Sequence, residues 1–175
     1  MVSIIIMRSL LSFAMLFALA GAAAGQNVTF DGQRFVLAYA PKDSPVNIRE
    51  YLPPGETLDK WTRMLSSRTF KNLNDPEAYA RKLAQSVTEG DPAARSQILR
   101  SDKTGAYVVD FLVFSPEGSG PRFAEWNLMR VDRQTIGLRV VQYAQRFYTI
   151  DDSMPKEIIA ARDKILPQLE KLSLP

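Results

Sequence analysis

Cysteine and histidine are both missing from this sequence of 175 residues. Without cysteine there is no disulfide, no thiol nucleophile, no redox pair and no thiolate metal site. Without histidine the commonest general base and transition-metal ligand is gone. Ser-His-Asp and Cys-His catalysis are excluded, and so are the zinc hydrolase motifs. Carboxylate, lysine or tyrosine chemistry stays open, as does a Ca²⁺ or Mg²⁺ site built from oxygen ligands. A strong charge of either sign is also lacking: 22 Lys and Arg against 19 Asp and Glu give +3. Setting Arg8 aside as part of a leader takes +3 to +2. The basic residues are scattered, and nucleic-acid binding needs a dense basic face. A mixed, solvated surface is the default over attraction to anionic envelope surfaces. There is no internal repeat and no low-complexity tract.

What is there begins with an apolar N-terminus. Arg8 precedes the run Leu10 to Ala20, which is followed by Gly21, Ala22, Ala23, Ala24 and Gly25. A positive start, an apolar run and a small-residue site are the order of a secretory signal. Ala22-Ala23-Ala24 suits cleavage, and Ala20-Gly21-Ala22 is an alternative. Residues 1–24 are therefore read as a signal peptide, with translation starting at Met1 or Met7. A membrane anchor is the rival reading, but the apolar part after Arg8 is shorter than the ~20 residues a spanning helix needs. Residues 25–175, about 150 in all, suit one α+β domain able to fold without staples.

Asp31-Gly32 between the β-prone runs Val28–Phe30 and Arg34–Tyr39 predicts a hairpin. Val46–Leu52 alternates like a half-buried strand and ends at Pro53-Pro54-Gly55. Thr57 predicts an N-cap for a helix from Leu58 to about Phe70, with Leu58, Trp61 and Met64 or Leu65 on one side. Asn74 or Asp75 predicts the cap of a second helix, with Pro76 in its first turn. Strands are expected over Gln97–Arg100, Ala106–Ser115, Arg122–Val131 and Ile136–Tyr148, the second apolar on both faces except for Asp110. A last helix opens at Ser153, with Pro167 expected to kink or shorten it. Three strands, two helices, four strands and one helix predict an antiparallel sheet covered by helices on both faces, an α/β/α sandwich, with the first two helices on one side and the last on the other.

The segment Glu50-Tyr51-Leu52-Pro53-Pro54-Gly55-Glu56-Thr57-Leu58-Asp59-Lys60-Trp61-Thr62 resembles exported bacterial proteins of unknown function. Their layout is similar to the PsbP-like fold, shared by an extrinsic photosystem protein and a Ran-binding nuclear import factor. The resemblance implies a PsbP-like sandwich and an accessory or binding role rather than an enzymatic one. Neither a photosystem motif nor a Ran-binding motif is identifiable here.

Candidate binding residues are Trp61, Asp110, Glu125, Asn127, Arg139 and Arg146. Trp61 is either a partner anchor or a core residue packed on the sheet. Asp110 shares a strand face with Val108, Leu112 and Phe114. Glu125 and Asn127 share a face opposite Trp126 and Leu128, and Arg139 or Arg146 could meet them, depending on register. A carboxylate row with an arginine beneath a helix would make a small-molecule or cation pocket, or a satisfied ion-pair network. No residue is assigned a catalytic or metal-binding role, and no cofactor is implied. Three functions follow as expectations. The first is a periplasmic or secreted non-catalytic binding or accessory protein, whose partner is an envelope protein or a small ligand. The second is a carboxylate-based hydrolase of envelope glycans. The third is a structural or stress-linked envelope protein.

Overall fold

The computed structural model describes residues 27–116, 118 and 120–174. The expected signal peptide, its expected cleavage site and the choice between Met1 and Met7 lie outside these residues.

Asp31-Gly32 forms the expected hairpin. Both residues take positive φ, 51° and 72°, as the tight two-residue turn requires. They join β1 (Val28–Phe30) to β2 (Gln33–Tyr39). Strand β3 (Asn47–Leu52) pairs with β2 and runs into the Pro53-Pro54-Gly55 turn. Here the structure departs from expectation. Thr57 and Lys60 close a short turn through two mutual backbone hydrogen bonds of 3.1 Å, and Arg63–Phe70 is strand β4 rather than the end of a helix. The physical reason is its position between β3 and β8. Met64, Leu65, Ser66 and Ser67 are all buried. A strand covered on both faces loses its alternation, and the spacing of Trp61, Met64 and Leu65 then imitates a helical stripe.

The first helix is α1 (Pro76–Gly90). Asp75 caps it, its Oδ1 accepting from Ala78 N at 3.0 Å, with Pro76 in the first turn. Strands β5 (Arg95–Arg100), β6 (Tyr107–Phe114), β7 (Ala124–Arg133) and β8 (Leu138–Phe147) form a meander, and α2 (Met154–Leu169) closes the described chain. Gly137 at the β7–β8 turn has φ +86°, and a Cβ there would lie 2.0 Å from the Phe70 carbonyl oxygen. α2 continues two residues past Pro167. A proline so near the helix end sacrifices one hydrogen bond and does not break it.

The eight strands form one antiparallel sheet in the order β1-β2-β3-β4-β8-β7-β6-β5. This corrects the expected α/β/α sandwich. Among the described residues 21% are helical, in two helices, the segment that was to supply a third is β4, and the sheet rather than helical layers makes the body of the fold. α1 packs mainly on β5, β6 and β7, and α2 mainly on β7 and β8.

Strand alternation sorts the side chains into two sets. Val109, Phe111, Met129, Val131, Leu138 and Val140 pack with Tyr79, Ala80 and Leu83 of α1. Val108, Trp126, Leu128, Val141 and Tyr143 pack with Met154, Ile158, Ile165 and Leu169 of α2. These are called the α1 face and the α2 face below. Arg130 of β7 holds the C-terminus of α2: its guanidinium donates to the carbonyls of Leu169 and Leu172 and pairs with Asp132 at 2.7 Å. The last turn has no basic residue of its own, so a cation from the sheet supplies the favourable charge at the carbonyl end. Among the described residues no helix is long and apolar enough to cross a membrane.

Candidate functional site

Each sheet face carries a buried carboxylate with an arginine. Asp110 sits on the α2 face because its neighbours in register are Leu128 and Gln97. Glu125 opposes Val113 and Arg146 on the α1 face. Both acids are only 3% exposed. They therefore point away from each other across the sheet, and the expected row of carboxylates does not form.

On the α1 face the polar residues form a continuous chain. Glu125 Oε2 accepts from Arg146 Nε at 2.9 Å and Oε1 accepts from Asn127 Nδ2 at 3.3 Å. Asn127 Oδ1 accepts from Gln142 Nε2 at 2.6 Å. Gln142 Oε1 accepts from Ser66 Oγ at 3.0 Å and from Arg68 Nη1 at 2.7 Å. Arg68 then reaches Glu50 at 3.4 Å. Burial pushes the Glu50 carboxyl above its usual value; Arg68 opposes the shift and the Glu125 charge adds to it. The Arg146 guanidinium stacks between two rings, 4.0 Å from the centroid of Trp61 and 4.2 Å from that of Phe123, so cation–π attraction reinforces the ion pair. Trp61 itself is buried with Leu52, Met64 and Ala144. This face thus brings together Trp61, Glu125, Asn127 and Arg146, and the Glu125 carboxylate and the Asn127 amide are both bonded to protein partners. Arg139 lies on the other face beside Asp132 and Thr69 and forms no ion pair among the described residues.

On the α2 face Asp110 is held from three directions. Oδ1 accepts from Trp126 Nε1 and Oδ2 from Gln97 Nε2, both at 2.8 Å. Arg162 Nε of α2 lies 2.6 Å from Oδ2, but its N–H does not line up on the oxygen, so the contact is an ion pair without a hydrogen bond. Beside this cluster is a pocket of about 370 Å³, lined by Gln97, Asp110, Leu112 and Trp126 from the sheet and by Ile158 and Arg162 from α2, among others. The volume falls in the lower part of the ~300–1,000 Å³ typical of small-molecule sites.

The chemistry open to these groups is narrow. Both buried carboxylates already carry arginine partners. Burial pushes the Tyr143 phenol up to about 12, which keeps it a donor, here to Gln145 Oε1 at 3.0 Å. Among the described residues no cluster of three or more metal-ligating side chains occurs. Arg162, Gln97, Gln142 and Arg68 were missed in the sequence. One signal was present: Arg162 falls on the same stripe as Ile158, Ile165 and Leu169, and a charge on an apolar helix stripe needs a buried partner. The others depend on strand register, which has no mark in the sequence.

A protein-family model matches residues 22–174, nearly the whole chain, and the family is of uncharacterised function. No curated protein matches the chain.

Proposed function

The chain belongs to the family whose model spans residues 22–174, and from that premise we propose that it is an exported, non-catalytic binding protein whose ligand site is the pocket beside α2. The observation that carries this reading is the state of Asp110. Oδ1 accepts from Trp126, Oδ2 accepts from Gln97 and pairs with Arg162, and the residue is only 3% exposed, so the carboxylate is engaged in holding its neighbours and is shielded from a substrate. The absence of histidine and cysteine points the same way, because the usual bases and nucleophiles are missing. Export rests on Arg8 followed by the apolar run and the small residues to Gly25, and places the protein in the periplasm or outside the cell. The low net charge favours a small ligand or an envelope protein over nucleic acid.

The test is native mass spectrometry of the protein recovered from the exported fraction, with N-terminal sequencing, beside an assay for release of envelope glycan fragments. The expected result is a chain starting near Gly25 that retains a small molecule or a single partner and releases no fragments. Glycan release by the wild-type protein that Asp110→Asn abolishes would overturn the reading.

A further inference from the structure

The pocket beside α2 also constrains what it takes. Two of its lining residues are arginines, Arg95 and Arg162, against the single carboxylate of Asp110. Asp110 is buried and already paired with Arg162, so it offers no exposed charge to a cationic ligand. Arg162 is the reverse. Its side chain is 30% exposed, and its Nε lies 2.6 Å from Asp110 Oδ2 without making a hydrogen bond. A guanidinium in this condition presents several N–H donors in a fixed planar fork, and the complementary group is an acceptor-only anion with two oxygens. The neutral donors on Asp110 matter to this. Trp126 and Gln97 keep the carboxylate stable, and the carboxylate in turn keeps Arg162 at the wall of the pocket.

The rest of the wall is apolar. Leu112 and Trp126 form the sheet side, and Met154, Ile158 and Ile159 form the α2 side. Ile159 is 54% exposed although it is large and apolar, and it marks the rim. Of these side chains, Leu112 and Ile159 bring apolar surface to solvent, with Trp126, Met154 and Ile158 buried behind them, and an anion without a tail would leave that surface wet. An apolar molecule without a charge would strip water from the exposed part of the Arg162 guanidinium and give it no acceptor in return, at a real cost in free energy. Resting on the binding reading above, we propose that the pocket is a site for an amphiphilic anion: a carboxylate head paired with the Arg162 fork, and an unbranched hydrocarbon tail laid over Leu112 and Ile159, against the buried Trp126. The pocket's modest volume favours a medium-length chain over a long one.

The chain contains two tryptophans, and they lie on opposite faces of the sheet: Trp126 lines the pocket and Trp61 does not. The two indole N–H signals of the ¹⁵N-labelled full-length mature protein therefore give a reporter and an internal control. Decanoate, kept below its micelle concentration, is expected to shift the Trp126 signal saturably and leave Trp61 in place. Acetate is expected to do neither, because it lacks the tail. Decyltrimethylammonium, with the same tail and the opposite charge, is expected not to compete. Arg162→Gln is expected to weaken decanoate binding about tenfold or more. Because that change removes the ion partner of Asp110, Ile159→Glu provides a second arm on an exposed position. It is expected to leave the melting temperature unchanged and weaken decanoate about tenfold. Decyl phosphate binding more tightly than decanoate would overturn the carboxylate assignment. Decyltrimethylammonium binding as well as decanoate would overturn the anionic one. Decanoate that fails to move Trp126, in a protein that still retains another molecule in native mass spectrometry, would overturn this ligand class while leaving the binding reading intact. A protein that binds none of these and retains nothing would overturn both.

Discussion

The pairs Glu125–Arg146 and Asp110–Arg162 have the same chemistry and opposite surroundings. Arg146 is on the strand next to Glu125, is 12% exposed, and is stacked between Trp61 and Phe123. Arg162 comes from a helix, is 30% exposed, and stands beside a pocket. In the first pair both charges and every neighbouring amide are consumed by the protein. In the second the carboxylate is buried and the arginine stays partly open to solvent. An ion pair is mortar when its partners come from adjacent strands and its surplus donors are covered. It becomes a recognition device when one partner reaches in from another layer and stays half open.

Breaking the sealed pair has the largest expected effect. Arg146→Met leaves Glu125 buried without a counter-charge, and a loss of about 3–5 kcal/mol of folding stability is expected, read as the urea midpoint. Replacing both partners, Glu125→Met with Arg146→Met, is expected to cost clearly less than Arg146→Met alone, since apolar groups of similar volume replace a buried pair at little net cost. Trp126→Phe removes one donor from Asp110 Oδ1, and a loss of about 1–2 kcal/mol is expected. Arg162→Gln is expected to cost less than Arg146→Met in stability, because its charge is partly solvated, and Gln97 and Trp126 still hold Asp110.

The smallest effect concerns Glu50 at the far end of the α1-face chain. Its carboxyl titrates above the ordinary glutamate value of 4.5 because of burial. The folded state therefore binds its proton more tightly than the unfolded state. That contribution favours folding at pH below 4.5 and is lost as pH rises through the raised folded value. Glu50→Gln is expected to flatten this part of the pH–stability curve, measured by urea unfolding at closely spaced pH values. An unchanged slope would contradict the assignment.

Much of the framework was legible where the local signal is strong. Asp31-Gly32 specified a hairpin, Asp75-Pro76 a helix start, and the Ala106–Ser115 run a strand covered on both sides. The error at Leu58–Phe70 has a clear cause. β4 is buried on both faces in the middle of the sheet, so its pattern carries no period of two, and Trp61, Met64 and Leu65 fell at helical spacing. Of the candidate residues, the alternation around Asp110 and Glu125 was readable from strand counting. Their separation onto opposite faces was not, because it follows from how β6 and β7 are aligned. Choosing Arg146 over Arg139 as the partner of Glu125 needed the β7–β8 register. Arg162 lay on the inner stripe of α2, and its partner stands on a strand about fifty residues earlier in the chain.

The contrast between the two pairs is tested most directly by the shift that decanoate produces in the urea midpoint of three proteins: wild type, Arg146→Met and Arg162→Gln. A ligand that binds only the folded state stabilises it by about 2.7 kcal/mol at a hundredfold excess over Kd. The expected result is a full shift in the wild type, the same shift on the lower starting stability of Arg146→Met, and little or none in Arg162→Gln. A shift that survives in Arg162→Gln, or disappears in a folded Arg146→Met, would contradict the assignment of binding to one pair and structure to the other.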